Sequence, residues 1–326
     1  MKTTTIIKCI FVAAAFAVVP LSLFAMASSP DVQFQKAMEK GAQARIQIRV
    51  VDDEAQPVSN ATVKVLFDML AATGGEIVTV TTDTNGVAVA EGKTNLAIRY
   101  RVEKDGYYKS EDGIEMYNMS RRYEVNDGKW LPWGMEKKIV LRPCKNRVPI
   151  VNSWKICDIP CTNVWYGFDF VKNDFVAPHG NGDIADFRLM FEWDGKQPSR
   201  QPSTALHIAF DEPFGGGCHV GKQMQSTFPY VYGADTNDLF ATKSIDYSHR
   251  YEGKPGQGAW IGNAYDEHKS LIVRSRCKVD ADGNLVSANY SNITKIEYSA
   301  GWEGKGVFTI AYFFNPTPND PNLEPK

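Results

Sequence analysis

Beyond residue 27 the chain has no second long apolar run, no internal repeat and no low-complexity tract, and after residue 43 no sustained helical periodicity. The missing apolar run excludes a further membrane-spanning helix in the mature chain. The missing 3.6-residue period excludes a helical bundle and leaves the strand as the building unit. An excess of basic residues is also lacking. Lys and Arg number 36 against 38 Asp and Glu, for a net charge of -2, so the composition carries no electrostatic footprint for nucleic acid. No Gly-x-Ser-x-Gly elbow is present to expose a serine nucleophile. No cofactor motif is found.

The first 27 residues do have a long apolar run. Lys2 and Lys8 precede a stretch, Cys9 to Ala27, without a single charge, and Ala25-Met26-Ala27 is a small-x-small cleavage signal. This predicts a cleaved secretory signal peptide over 1–27, against the alternative of a retained anchor, since the run is just long enough to span a bilayer. The expected location is therefore outside the cytoplasm: periplasm, outer surface or secreted. The leader holds two of the basic residues and no acidic one, which leaves 34 basic against 38 acidic residues in the mature chain. Five cysteines remain after cleavage: Cys144, Cys157, Cys161, Cys218 and Cys277. An odd number in an oxidising compartment leaves at least one free or intermolecular thiol. Cys157 with Cys161 is the preferred bridge, and Cys218 with Cys277 the next.

Residues 28–43 read as a connector in which Val32, Phe34 and Met38 mark a helical turn or two. From 44 to 142 the pattern alternates with period two. Ile46, Ile48 and Val50 interleave with Arg45, Gln47 and Arg49, and Val63, Val65 and Phe67 follow the same rule. Strands with one buried face are expected near 44–51, 61–67, 77–82, 86–90, 95–103 and 137–142. Asp83-Thr84-Asn85-Gly86 is turn chemistry between two of them. The segment Lys129 to Gly134 reads as a loop, with Pro132 interrupting any ladder. A boundary falls between Arg142 and Trp154. From 145 to 326 the chain is rich in aromatics, Gly, Asn and Asp. Its expected strands are 186–193, 204–210, 228–232, 258–262, 271–279, 285–290 and 307–314, the last apolar on both faces. The fold class is all-β, with two β-sandwich-like domains, the second of about eight strands.

The first domain resembles the carboxypeptidase regulatory-like domain. The resemblance rests on Val50 to Asp52, Pro57-Val58 through Ala61-Thr62-Val63, Thr82 to Gly86, and Val102 through Gly106-Tyr107. It implies a transthyretin-like sandwich that serves as an accessory module without catalytic residues of its own. The second half is similar to the C-terminal region of a group of exported Gram-negative bacterial proteins that has no assigned activity. Gly167 to Phe170, Asp174 to Gly180 and Phe313 to Asp320 carry that likeness.

Three sets of residues are candidates for chemistry. Trp130, Trp133, Trp165 and Tyr166 cluster near the boundary and would form an aromatic ligand platform, or else seal the core. Trp193, Trp260 and Trp302 are expected in the core. Asp174, His179, Asp183 and Asp186 share a Gly/Asn-rich loop. They would hold a divalent cation or act as an acid/base set, unless they simply make Asx turns. Cys218, beside His219 in a glycine-rich stretch, would be a nucleophile only with His179, His207 or His249 within hydrogen-bond reach. Asp280-Ala281-Asp282-Gly283 imitates a calcium loop but has its Gly in the wrong place and Ser291 where a bidentate Glu is needed. The reading is an exported, non-catalytic binding or structural protein of the cell envelope, with a glycan or an envelope protein as partner. Its competitors are a secreted carbohydrate-active hydrolase using the carboxylates near His179, and a surface appendage subunit.

Overall fold

The computed structural model describes residues 30–70, 74–118, 121–159, 161–196, 202–211, 213–235, 240, 242–252, 259–301 and 305–326. The expected signal peptide at 1–27, Trp302 and the side chain of Trp260 lie outside them.

The chain is all-β and sandwich-like, as the period-two pattern requires. Among the described residues the first element is a helix, α1 (Pro30–Lys40). Strands β1 (Ala42–Val51), β2 (Thr62–Asp68), β3 (Glu76–Thr81), β4 (Val87–Thr94), β5 (Ala97–Glu103), β6 (Ser110–Glu115), β7 (Tyr117–Asn118), β8 (Arg121–Arg122), β9 (Glu124–Asn126), β10 (Lys129–Leu131) and β11 (Met135–Val140) follow. They form a five-stranded sheet, β11-β1-β10-β9 with β4 on β1, and a four-stranded sheet, β3-β2-β5-β6. The second set is β12 (Val151–Ile159), β13 (Trp165–Asp169), β14 (Asp174–Phe175), β15 (Phe187–Trp193), β16 (Thr204–Ala209), β17 (Gly216–Gly221), β18 (Ser244–Glu252), β19 (Ala259–Ile261), β20 (Lys269–Val279), β21 (Leu285–Ala300) and β22 (Gly306–Asn315). These build a five-stranded sheet, β12-β22-β21-β20-β17, and a six-stranded sheet, β14-β13-β15-β16-β18-β19.

Alternation explains the first core. Ala44, Ile46, Ile48 and Val50 of β1 face Val63, Val65 and Phe67 of β2 across the sandwich, all almost fully buried. Each of these Ile, Val and Phe side chains contributes about 1.5–3 kcal/mol. The turn at Asp83 forms as expected. Its carboxylate accepts the amides of Asn85 and Val87, and Gly86 takes φ 71° where an added Cβ would meet the Val50 carbonyl at 2.4 Å. The second core is aromatic: Phe168, Phe170, Phe187, Phe191, Phe308, Tyr312 and Phe314 interlock between its two sheets.

Strands β6, β10, β12, β13, β17 and β18 form where the pattern predicts none, and three further departures shape the molecule. The connector is an eleven-residue helix. Pro30 opens it, Asp31 and Lys40 complement its dipole, and Gly41 at φ 77° ends it with its amide on the Ala37 carbonyl. Phe34 packs edge-on against Trp130. Residues 228–232 form no strand, and Pro229 interrupts any ladder there. The alternation of β20 breaks at a bulge between Ser275 and Lys278, where Arg276 takes φ 51° and turns into the protein.

That non-strand segment joins the two sandwiches. Residues 223–232 run along β6 and fill the gap between β6 and β11. The Glu111 amide donates to the Gln225 carbonyl and the Thr227 amide to the Lys109 carbonyl, each at 2.8 Å. The Gln225 side chain donates to Asp112 and the Lys138 carbonyl and accepts the Val140 amide. Buried Arg142 donates to the carbonyls of Phe228 and Tyr230, pairs with Asp53 at 3.3 Å and lies 4.3 Å over the Tyr232 ring. Buried Glu324 accepts the amides of Lys145 and Asn146 and the Tyr108 hydroxyl, so the C-terminal segment clamps the connection between the sandwiches.

Arg142→Ala leaves two buried carbonyls and Asp53 without their cation. It is expected to lower the unfolding free energy by about 2–4 kcal/mol in urea denaturation. A loss within experimental error would show that the seam contributes little. Cys157, buried with its thiol pushed up to about 11 by burial, and Cys161, exposed in the next turn, are unbonded here, as are Cys144, Cys218 and Cys277. Native-state alkylation followed by mass spectrometry is expected to label Cys161 within the dead time and Cys157 only on unfolding. A bridge between them would leave both unlabelled until reduction.

Candidate binding face of the six-stranded sheet

The structure separates the four predicted platform aromatics. Trp130 is not in a loop. It lies on β10, fully buried, its indole N–H donating to the Thr94 carbonyl at 2.8 Å. Tyr166 faces the second core, 1% exposed, with its hydroxyl on the Cys161 backbone. Both are core residues, because odd and even positions of a strand face opposite sides and theirs face inward. Trp133 and Trp165 remain exposed, at 38% and 46%, but on separate sandwiches. Trp193 packs partly buried against the second core. Trp154, on the outer side of β12, is 58% exposed.

The acidic loop divides in the same way. Asp186 is buried and accepts the Phe170 amide, the Ser275 hydroxyl and Arg276. Its partner is Asp169, which the sequence reading passed over. Asp169 accepts the amides of Val171, Lys172, Asp183 and Ile184 as well as Arg276 at 2.7 Å. Burial raises the Asp169 pKa, but these backbone donors outweigh it and hold the carboxyl below its ordinary range. Asp174 bonds Lys155 at 2.6 Å and the Asn181 amide. Asp183 points to solvent beside Lys172. The His179 ring packs edge-on against Tyr166. The four candidates thus do not converge, Asp174 and Asp186 serving as separate anchors while Asp183 stays exposed, and no three His, Cys, Asp or Glu side chains among the described residues form a metal-holding group. Asp280 accepts the Asp282 and Asn284 amides as a plain hairpin turn. Cys218 and His219 are adjacent on β17 and so point apart. Cys218 meets only its neighbour's carbonyl, whereas His219 meets the Tyr247 hydroxyl at 3.2 Å.

A different set converges on the outer face of the six-stranded sheet. Register places Trp165 of β13 opposite Met190 of β15, Met190 opposite His207 of β16, and His207 opposite Asp246 of β18. Three strand spacings make this row about 14 Å long. His207 Nδ1 lies 2.7 Å from Asp246, and its Nε2 lies 3.5 Å from Glu192. Ala205 and Ala209 flank His207 along β16 and keep the surface low beside the row. Arg188, paired with Asp211, borders it. Beyond Asp246 the face meets a cavity of about 340 Å³ whose lining includes His219, Ser244, Asn263, Asp266 and Lys269. Desolvation, reinforced by Lys269, lowers the His219 pKa. The face therefore offers one exposed aromatic ring, a thioether, and a string of donors and acceptors ending in a polar pocket. Period two marks Arg188, Met190 and Glu192 as outward, but which strands lie side by side is set by non-local pairing.

The depressed Asp169 carboxyl contributes stability that is complete above the ordinary aspartate pKa and is lost as pH falls through its folded value. Acid titration of the wild type is expected to show stability falling below pH 3.8, the ordinary value. Asp169→Asn is expected to be less stable at neutral pH and flatter in that window. An unchanged acid limb would remove Asp169 from the account.

No family model matches the chain, and no curated protein sequence matches it. Among solved structures, 3-chlorocatechol 1,2-dioxygenase from Rhodococcus opacus 1CP aligns at 11% identity over 32% of this chain and 61% of its own, with a TM-score of 0.26. Catechol 1,2-dioxygenase from Acinetobacter radioresistens aligns at 14% identity over 33% and 54%, with a TM-score of 0.25. A streptococcal ancillary pilin aligns at 12% identity over 76% and 58%, with a TM-score of 0.21. The chain spans a little over half the length of each of these structures, and at these scores none assigns it a fold or a function.

Proposed function

We propose that the chain is an exported, non-catalytic binding protein of the cell envelope, and that the outer face of the six-stranded sheet receives an extended polar ligand, a glycan chain. The observation that carries this reading is the row Trp165, Met190, His207 and Asp246, in register on the outer face, with Trp165 and Asp246 exposed at its two ends and Met190 and His207 partly exposed between them. An exposed indole stacks on the apolar face of a sugar ring, and the exposed Asp246 and Glu192 carboxylates, the first of them held by His207, supply hydroxyl partners. The first sandwich, read as a transthyretin-like accessory module, holds the second through the seam. The hydrolase alternative loses support because two of its three carboxylates near His179, those of Asp174 and Asp186, are already occupied by protein donors, and Asp183 stands exposed without a second carboxylate to work with.

A glycan and envelope-component screen on residues 28–326 is expected to return a ligand. Its affinity should fall about tenfold or more in Trp165→Ala, and by a similar factor in Asp246→Ala, as expected for residues that dominate a small interface. Thermal stability should be little changed, because both side chains are exposed. Binding that is indifferent to both substitutions would move the site elsewhere. Turnover of the bound glycan would overturn the non-catalytic reading.

A further inference from the structure

The end of the first sandwich farthest from the seam is basic, although the chain as a whole is slightly acidic. β1 spans about 30 Å from Ala42 to Val51. Its Val51 end pairs with Val140 beside Arg142 at the seam, and its Ala42 end meets α1. At this α1 pole a cavity of about 480 Å³ opens between the helix, β4 and the β9–β10 turn, and Lys36, Lys40 and Lys93 line it. Register adds a fourth lysine, since Lys93 lies opposite Gln43 and Gln43 opposite Lys129 on the outer face. None of the four lysines makes an ion pair with a carboxylate among the described residues. The acidic groups nearby are Asp127, which also lines the cavity, the exposed Glu39 of α1 and Glu124 of β9, and Asp31 and Glu91, which pair with Arg122 and Arg45. Trp133 stands at the same pole, exposed, with the Lys129 ammonium 5.0 Å from its ring.

Two features select the partner. Unpaired lysines beside an exposed tryptophan match a membrane surface, where ammonium groups meet lipid phosphates and indole rings settle at the headgroup level. In the sequence, the uncharged run Cys9 to Ala27 ends three residues before α1 begins at Pro30. While that run lies in a bilayer, α1 is within about 10 Å of the headgroups. We infer that the α1 pole, through Lys36, Lys40, Lys93, Lys129 and Trp133, docks on anionic phospholipid headgroups. The second sandwich is then held on the far side of the seam, away from the lipid.

The test is vesicle co-sedimentation of residues 28–326, which contain every described residue and lack the apolar run. Vesicles of phosphatidylglycerol with phosphatidylcholine are compared with phosphatidylcholine alone. Binding is expected only to the anionic vesicles and should weaken with salt. It should fall roughly thirtyfold for each lysine changed to Glu among Lys36, Lys40 and Lys93, a change of two charges at about 1 kcal/mol each, and fall further in Trp133→Ala. A K36R/K40R/K93R variant should bind like the wild type, and circular dichroism melts identify any variant that has unfolded. Equal binding to both vesicle types, indifference to the Glu substitutions in folded protein, displacement by inorganic phosphate at the lipid concentration, or tighter binding to a soluble anionic polysaccharide would each overturn the inference.

Discussion

The architecture depends on the closing of an open sheet edge. β6 ends its sheet with a row of backbone groups that need partners, and residues 223–232 supply them from the other half of the chain. An unpaired edge invites association with any passing strand. Here the edge is occupied from within, and Arg142 locks the occupant by binding two of its carbonyls while stacking on Tyr232. Glu324 makes the reciprocal contact on the connecting segment. Both charged groups are almost fully buried and would be costly without these partners, so the seam is specific as well as stabilising. Two cores that fill separately therefore behave as one body.

This arrangement decides where recognition can occur. The seam uses up one edge of the first sandwich, and the aromatic interior of the second leaves no large internal space. Polar groups that look catalytic in the sequence are employed in construction. Asp169, Asp186 and Arg276 tie the 169–186 loop to the bulge of β20, and a carboxylate holding four backbone amides and a guanidinium has little capacity left for a substrate. What stays open are the outer sheet faces. One carries the row from Trp165 to Asp246. Another, at the α1 pole, carries unpaired lysines around Trp133. The two lie on different sandwiches, which suits a protein that holds one surface and presents another.

Much of the fold is legible in the sequence because alternation is a local property. The inward residues of β1, β2 and β5 follow directly from period two, and the turns at Asp83 and Asp280 follow from Asp-Gly and Asn-Gly chemistry. The failures have physical causes. The helix α1 is short, and its tertiary packing against Trp130 stabilises it more than its own periodicity does. The segment 228–232 looks like a strand because it is rich in aromatics, but they serve a seam, with Phe228 buried and Tyr230 and Tyr232 half-buried there. Arg276 departs from alternation because a bulge turns it inward to two carboxylates. The binding row was illegible for a different reason: Trp165, Met190, His207 and Asp246 are spread over eighty residues of chain, and only the pairing of four strands brings them into line. A sequence-wide charge balance likewise averaged away the basic pole.

Hydrogen–deuterium exchange resolved at single amides addresses the seam most directly. If the two sandwiches are one body, the amides of Glu111 and Thr227, which cross the seam, should exchange as slowly as those of the core strands β5 and β21 and only through global unfolding. Loop-like exchange at those two amides, with both cores still protected, would mean two sandwiches on a tether and would contradict the account.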